Sequence, residues 1–233
     1  MQSEHSAAAD SNRDRIIAAA ARLLAEGGRE ALSTRAVSAA AGVQAPTIYR
    51  IFGDKQGLLD AVAAHGFAAH LEAKSHVRPS GDPVEDLRAG WALNMEFALA
   101  NPALYCLMYG EPRPGAASPA AEAAFEHLGS YVHRIAEAGR LRVTEERAAR
   151  LIHAAGSGTA LALIALPEEQ RDLTVSEMAR EAVIAAVTTA APVEAAPGPA
   201  GAAVALRAVL PQTSALSAGE RGLMEEWLDR IAR

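Results

Sequence analysis

Between residues 34 and 55 the chain collects side chains suited to a polyanion with readable edges: Thr34, Arg35, Gln44, Tyr49, Arg50 and Lys55. Hydroxyl and ammonium groups donate to phosphate oxygens, so Thr34, Tyr49 and Lys55 are phosphate candidates, and Lys55 falls where a helix N-terminus adds amide donors. Arginine grips the acceptor edge of guanine and glutamine pairs with adenine, at about 1–3 kcal/mol per good bidentate contact. Arg35, Gln44 and Arg50 are therefore the base-reading candidates. Ala45 and Pro46 offer only apolar contact, as to a thymine methyl group, and Thr47 shares their outward side. An ordinary surface helix can carry the same residue types, so the spacing has to decide between the two.

The spacing is that of two short helices joined by a tight turn, S-T-R-A-V-S-A-A-A-G-V-Q-A-P-T-I-Y-R-I-F over residues 33–52. Ser33 or Thr34 caps the first helix, the small Ser38 admits the second at close range, and Gly42 supplies the turn. Val37, Val43 and Ile48 fall where the helices press their apolar sides together, which leaves Gln44, Ala45, Thr47, Tyr49 and Arg50 outward. This is a helix-turn-helix, a unit that lays its second helix in the major groove of DNA.

The stretch from Arg15 to Leu59 resembles the DNA-binding domain of the tetracycline-repressor (TetR) family of bacterial transcription regulators, through L-S-T-R-A-V, A-G-V, P-T-I-Y and F-G-D-K-x-x-L-L. It covers about the first quarter of the chain. Ile51 stands where the family often has a histidine, a departure that touches one phosphate contact. The resemblance implies a homodimer whose last two long helices pack against their equivalents as a four-helix bundle. It also implies a double-stranded operator, an inverted repeat, and a repressor released by a small ligand. A dimer follows from recognition as well, since one short helix reads too few base pairs for specificity.

Composition agrees with an all-α fold. The 233 residues are 50% apolar but only 4% aromatic, and alanine is abundant, which favours closely packed helices over a β-sandwich. The net charge of −6 is unevenly spread: residues 1–57 hold seven basic against six acidic side chains, leaving fifteen against twenty-two for the rest. A single cysteine, Cys106, excludes an intrachain disulfide framework. No secretory or membrane-spanning apolar run is present, so a cytoplasmic protein with no membrane partner is expected.

Along the chain, residues 1–10 read as a disordered N-terminus and 11–75 as the helix-turn-helix domain. Its first helix is predicted from about Asn12 to Glu26, and its connecting fourth helix is capped by Asp54. Pro79, Gly81 and Pro83 mark a boundary. Residues 82–190 form a ligand-binding and dimerisation domain. Asp82 caps a helix that Asn101-Pro102 interrupts, G-E-P-R-P-G at 110–115 is a loop, and Ser118-Pro119 opens the next helix. Another follows at 145–166, and Thr174 with Glu177 reads as the capping box of one running to about Thr189. Residues 191–203 read as a Pro/Ala/Gly tether. Residues 204–233 read as a C-terminal helical segment, capped by Ser217 with Glu220. Its stripe of Leu223, Met224, Trp227, Leu228 and Ile231 should dock on the regulatory domain.

Trp91, Met95, Tyr105, Met108, Tyr109, Phe125, Tyr131 and His153 gather most of the second domain's aromatic and soft side chains. They are candidate walls for a small apolar or amphipathic ligand, although aromatics at helical spacing also build plain cores. Ala155, Gly158 and Ala162 on one helix and Met178, Ala182 and Ala185 on the next form compact faces for a second subunit; packing within one subunit uses the same periodicity.

No catalytic, metal or cofactor set is read. Gly156-Ser157-Gly158 lacks the spacing of a nucleophile elbow, and His65, His70 and His76 are five and six residues apart rather than three or four. The expected protein is a homodimeric, ligand-responsive DNA-binding regulator, not an enzyme. The alternative is a cytoplasmic small-molecule-binding or dimerisation protein whose DNA-binding domain is degenerate, with Ile51 as its support.

Overall fold

The computed structural model describes residues 2–74, 80–111, 113, 115, 117–189 and 198–232, with the side chains of 2–10, 73 and 74 left aside. These hold eleven α-helices and one isolated bridge between Leu141 and Thr188. None of the described helices is long and apolar enough to cross a membrane. The chain divides into two compact units, Met1–Val77 with Phe97–Ala123 and Arg78–Glu96 with Ala124–Arg233.

The first unit holds α1 (Gln2–Gly27), α2 (Thr34–Ala41), α3 (Ala45–Phe52), α4 (Lys55–Lys74) and α6 (Pro102–Tyr109), with the end of α5 (Pro83–Ala100) and the start of α7 (Pro119–Glu137). Ile16, Ala20 and Leu24 of α1 meet Leu32, Val37, Ile48, Leu58, Leu59 and Val62 in one buried cluster. Val43 packs on its edge, as do Ala103, Leu104 and Leu107 of α6. The ends follow local chemistry. Ser33 Oγ accepts the Ala36 amide at 3.1 Å, Gly42 takes the left-handed conformation at φ 64°, and Asp54 Oδ1 accepts the Gly57 amide at 2.7 Å.

Helix α1 begins at Gln2, ten residues ahead of the predicted Asn12, and so includes residues 2–10, which the sequence reads as disordered. The Ser-Ala-Ala-Ala-Asp run holds no glycine or proline to stop a helix, and alanine is its best former. The division of the chain also differs from the boundary read at 76–81. Residues 97–123 belong with the N-terminal unit because α6 lies close on α4: a Cβ at Gly66 would stand 2.5 Å from Leu104 Cδ2.

The second unit holds the rest of α5 and α7, then α8 (Glu145–Ile164), α9 (Leu173–Val187), α10 (Pro199–Val209) and α11 (Ala218–Ile231). Asp82 caps α5 as expected, its Oδ1 accepting the Val84 amide at 2.8 Å. Three arginines tie the helices by charge: Arg140 to Asp82 at 2.7 Å, Arg134 to Asp86 at 2.7 Å and Arg88 to Glu181 at 2.9 Å. Arg142 Nε donates to the Thr188 carbonyl at 2.7 Å beside the bridge.

Three sequence readings change here. Asp172, not Thr174, caps α9, since its carboxylate accepts the Thr174 amide at 2.9 Å. Both Asp and Thr are good caps, and because the helix already includes Leu173, Asp172 holds the cap position and Thr174 lies within the first turn. Of the tether at 191–203, residues 191–197 lie outside the described residues, whereas Pro199 opens α10 in the first helical turn that proline favours. The stripe on α11 is only partly covered. Leu228 is buried, while Leu223, Trp227 and Ile231 are exposed. The Ser217–Glu220 capping box is present in both directions.

Candidate nucleic-acid interface

On α2 and α3 the apolar and polar positions separate as the spacing requires. Val37 and Ile48 are buried, and Arg35, Gln44, Pro46, Tyr49, Arg50 and Lys55 are exposed. Thr34, Ala45 and Thr47 are half-buried, so the outward placement read for Ala45 and Thr47 is only partial. Gln44 occupies the cap position of α3 without using its side chain as the cap, so its amide is available to a base edge.

Thr34 and Tyr49 are brought together across the turn, their hydroxyls 3.5 Å apart. That places two donors at the junction of α2 and α3, where one phosphate can meet both. Arg50 lies in the last turn of α3, and Lys55 begins α4 three residues beyond its end. Ile51 is half-buried against the core cluster.

Two supports are not legible in the sequence. Arg15 Nη2 donates to the Ala41 carbonyl at 3.3 Å, tying α1 to the end of α2, and the Arg13 guanidinium lies 5.9 Å over the Phe52 ring. Both join positions far apart in sequence, for which no local pattern exists.

The eight candidate ligand residues divide between the two units. Tyr105, Met108 and Tyr109 lie in the first unit, with Tyr105 fully buried and its ring 4.7 Å from that of Tyr109; burial pushes the Tyr109 hydroxyl well above its ordinary pKa. Trp91, Met95, Phe125, Tyr131 and His153 lie in the second. There the Phe125 and His153 rings meet edge-on at 5.5 Å, and burial lowers the His153 pKa. Tyr131 lies beneath the Arg134 guanidinium at 5.0 Å.

Two grooves in the second unit, about 680 and 340 Å³, are instead lined largely by charged side chains and by none of these eight residues.

The proposed subunit face divides differently. Gly158, Ala162, Met178, Ala182 and Ala185 are exposed and Ala155 is half-buried. With exposed Leu151, Ala154 and Val175 they leave an apolar stripe along α8 and α9.

The sequence profile of bacterial regulatory proteins of the tetR family matches residues 16–62. No curated protein matches the chain in sequence. Among solved structures, a protein from Shewanella sp. PV-4 assigned to the tetR family of transcription regulators shares the fold at a TM-score of 0.59 and 18% identity, with 76% of this chain and 98% of that one covered. A TetR-family transcriptional regulator from Vibrio parahaemolyticus reaches a TM-score of 0.54 at 26% identity, covering 76% and 98%. The multidrug binding protein EbrR, complexed with imidazole, reaches 0.53 at 26% identity, covering 77% and 96%.

The class is thus a helix-turn-helix regulator with a helical body. Residues 16–62 match the tetR family of bacterial regulatory proteins, and the helical fold as a whole is similar to that of TetR-family regulators. DNA-binding transcriptional regulation is the activity that this fold supports.

Proposed function

We propose that the chain is a homodimeric, sequence-specific repressor, released from an inverted-repeat operator by a small apolar or amphipathic molecule. The observation that carries the reading is the exposed set Arg35, Gln44, Tyr49, Arg50 and Lys55 on and around a short helix held by a buried core. Thr34 and Tyr49 join Lys55 as phosphate contacts; Arg35, Gln44 and Arg50 read base edges; Ala45, Pro46 and Thr47 border the groove.

The exposed apolar stripe on α8 and α9 supports the dimer, because a monomer that leaves so much apolar surface in water gains by pairing it. A small-molecule effector is supported by the likeness to EbrR, which is described as multidrug binding. The ligand prefers a state in which α4 is displaced and the two recognition helices no longer match successive grooves. Linkage then requires DNA to lower ligand affinity by the same factor.

Selection of duplexes from a random-sequence pool by the full chain tests the reading. Enrichment of an inverted repeat, with affinity falling steeply as salt rises, is expected. Binding that enriches no sequence would leave the degenerate-domain alternative.

A further inference from the structure

The G-E-P-R-P-G run at 110–115 delivers two charges to the N-terminal unit. Arg113 grips Asp60 of α4 with both ends of its guanidinium, Nη2 to Oδ1 at 2.8 Å and Nη1 to Oδ2 at 3.2 Å. Gln56, one turn earlier on α4, donates to the same Oδ1 at 3.0 Å. The Asp60 side chain is only 20% exposed, so the pair is partly shielded from water and salt. Two residues away along the loop, Glu111 pairs with Arg29 just beyond α1.

The two pairs have opposite polarity. The loop presents a cation to α4 and an anion to the end of α1, so exchanging partners would set like charge against like. Glu111 and Arg113 therefore have one favoured arrangement of partners on these helices. Asp60 lies five residues after Lys55, about 7.5 Å along the helix axis, and α4 shares its buried cluster with Ile48 of α3. Neither Asp60 nor Arg113 belongs to the outward set that faces DNA.

We propose that Asp60 and Arg113 are positioning residues for DNA binding. Their pair fixes α4, and through the shared core it fixes the recognition helix α3. The proposal rests on the regulator reading above. It assigns to the 110–115 run a role that its sequence alone left as a connection.

The test uses the full-length wild type, Arg113→Glu, Asp60→Lys and the double variant, each titrated with the duplex that the wild type enriches from a random pool. Each single reversal is expected to weaken binding ~5-fold or more, the coupling typical of a close charge pair, and the double to return within about twofold of wild type. Bulk charge alone predicts otherwise: Asp60→Lys would tighten binding to a polyanion and Arg113→Glu would weaken it.

Opposite effects of the two reversals, or a double variant no better than the worse single, overturn the proposal. Arg113→Gln and Asp60→Asn provide the same comparison should a reversal fail to fold, as judged by circular dichroism. Because the pair lies outside the set assigned to phosphate, the salt slope is expected to stay at the wild-type value in the double variant; a slope changed by one unit or more overturns the proposal. A wild type that enriches no sequence ends the regulator reading and this proposal with it. One that does, with single variants of unchanged affinity, removes the positioning pair alone.

Discussion

The Trp91 indole Nε1 donates a 2.9 Å hydrogen bond to Ser176 Oγ, joining α5 to α9 within the second unit. Both side chains are buried. The ring also lies against Gly156 of α8, where a Cβ would stand 3.4 Å from Cζ3. One indole thus meets both helices that carry the exposed apolar stripe. Ser176→Ala leaves the indole N–H without its acceptor and is expected to cost about 1–2 kcal/mol. Urea denaturation should show a lower midpoint at an unchanged slope.

The turn at Gly42 gives a second prediction. Its φ of 64° is a conformation that residues with a Cβ disfavour, and no atom lies within 4 Å of where that Cβ would be. Gly42→Ala therefore tests backbone preference without a clash and is expected to cost about 1 kcal/mol, with Gly42→Asn milder. Thermal melting of the two variants checks the order.

These two residues mark what was legible from sequence and what was not. Gly42, Ser33, Asp54 and the Ser217–Glu220 box act within a few residues of themselves, so their spacing was enough. The exposed side of α3 was legible at Tyr49 and Arg50, because Ile48 and Val37 fix which side is buried, but not the partial burial of Ala45 and Thr47. Trp91–Ser176 spans 85 positions and Arg113–Asp60 spans 53, and no local pattern announces such a pair. The start of α9 went to the neighbouring cap because Asp172 and Thr174 are both competent. The candidate ligand residues share side-chain type alone, and the division of the chain places them in two units.

Substitutions in the recognition set should separate by role. Lys55→Ala is expected to flatten the dependence of log affinity on log salt by about 0.9, the share of one phosphate contact on duplex DNA. Arg50→Ala and Gln44→Ala should instead relax preference at particular base pairs, at about 1–3 kcal/mol each. Repeated duplex selection with each variant checks this, and an unchanged preference in both would remove them as readers.

A charge on the α8–α9 stripe should prevent self-association while sparing the fold. Met178 is 68% exposed, and Ala182 lies one turn further along the same helix. The wild type is expected to sediment as a dimer, and Met178→Glu and Ala182→Glu as helical monomers. Duplex affinity should fall with dimerisation, since each monomer offers one half-site reader.

Acid should weaken the second unit through Asp82 and Asp86. The Arg140 guanidinium holds the Asp82 carboxyl below its ordinary range. Burial alone would raise Asp86, but bonds from Ser80 and Arg134 outweigh it and hold it low. A carboxyl with a lowered folded pKa contributes stability that is complete above its ordinary value of 3.8 and is lost as the pH falls through the lower folded value. Asp86→Asn should be less stable than wild type at neutral pH, with the difference shrinking as the pH drops below 3.8. Denaturation midpoints measured across that range give the sign.

The two tryptophans give the molecule built-in optical probes. Trp91 is 6% exposed and hydrogen-bonded in the interior, whereas Trp227 on α11 is 53% exposed. Acrylamide should quench the second emission and largely spare the first, and Trp227→Phe leaves a blue-shifted signal from Trp91 alone. Because that indole borders α5, α8 and α9, its emission maximum can be followed during titration with candidate effectors, without any attached label.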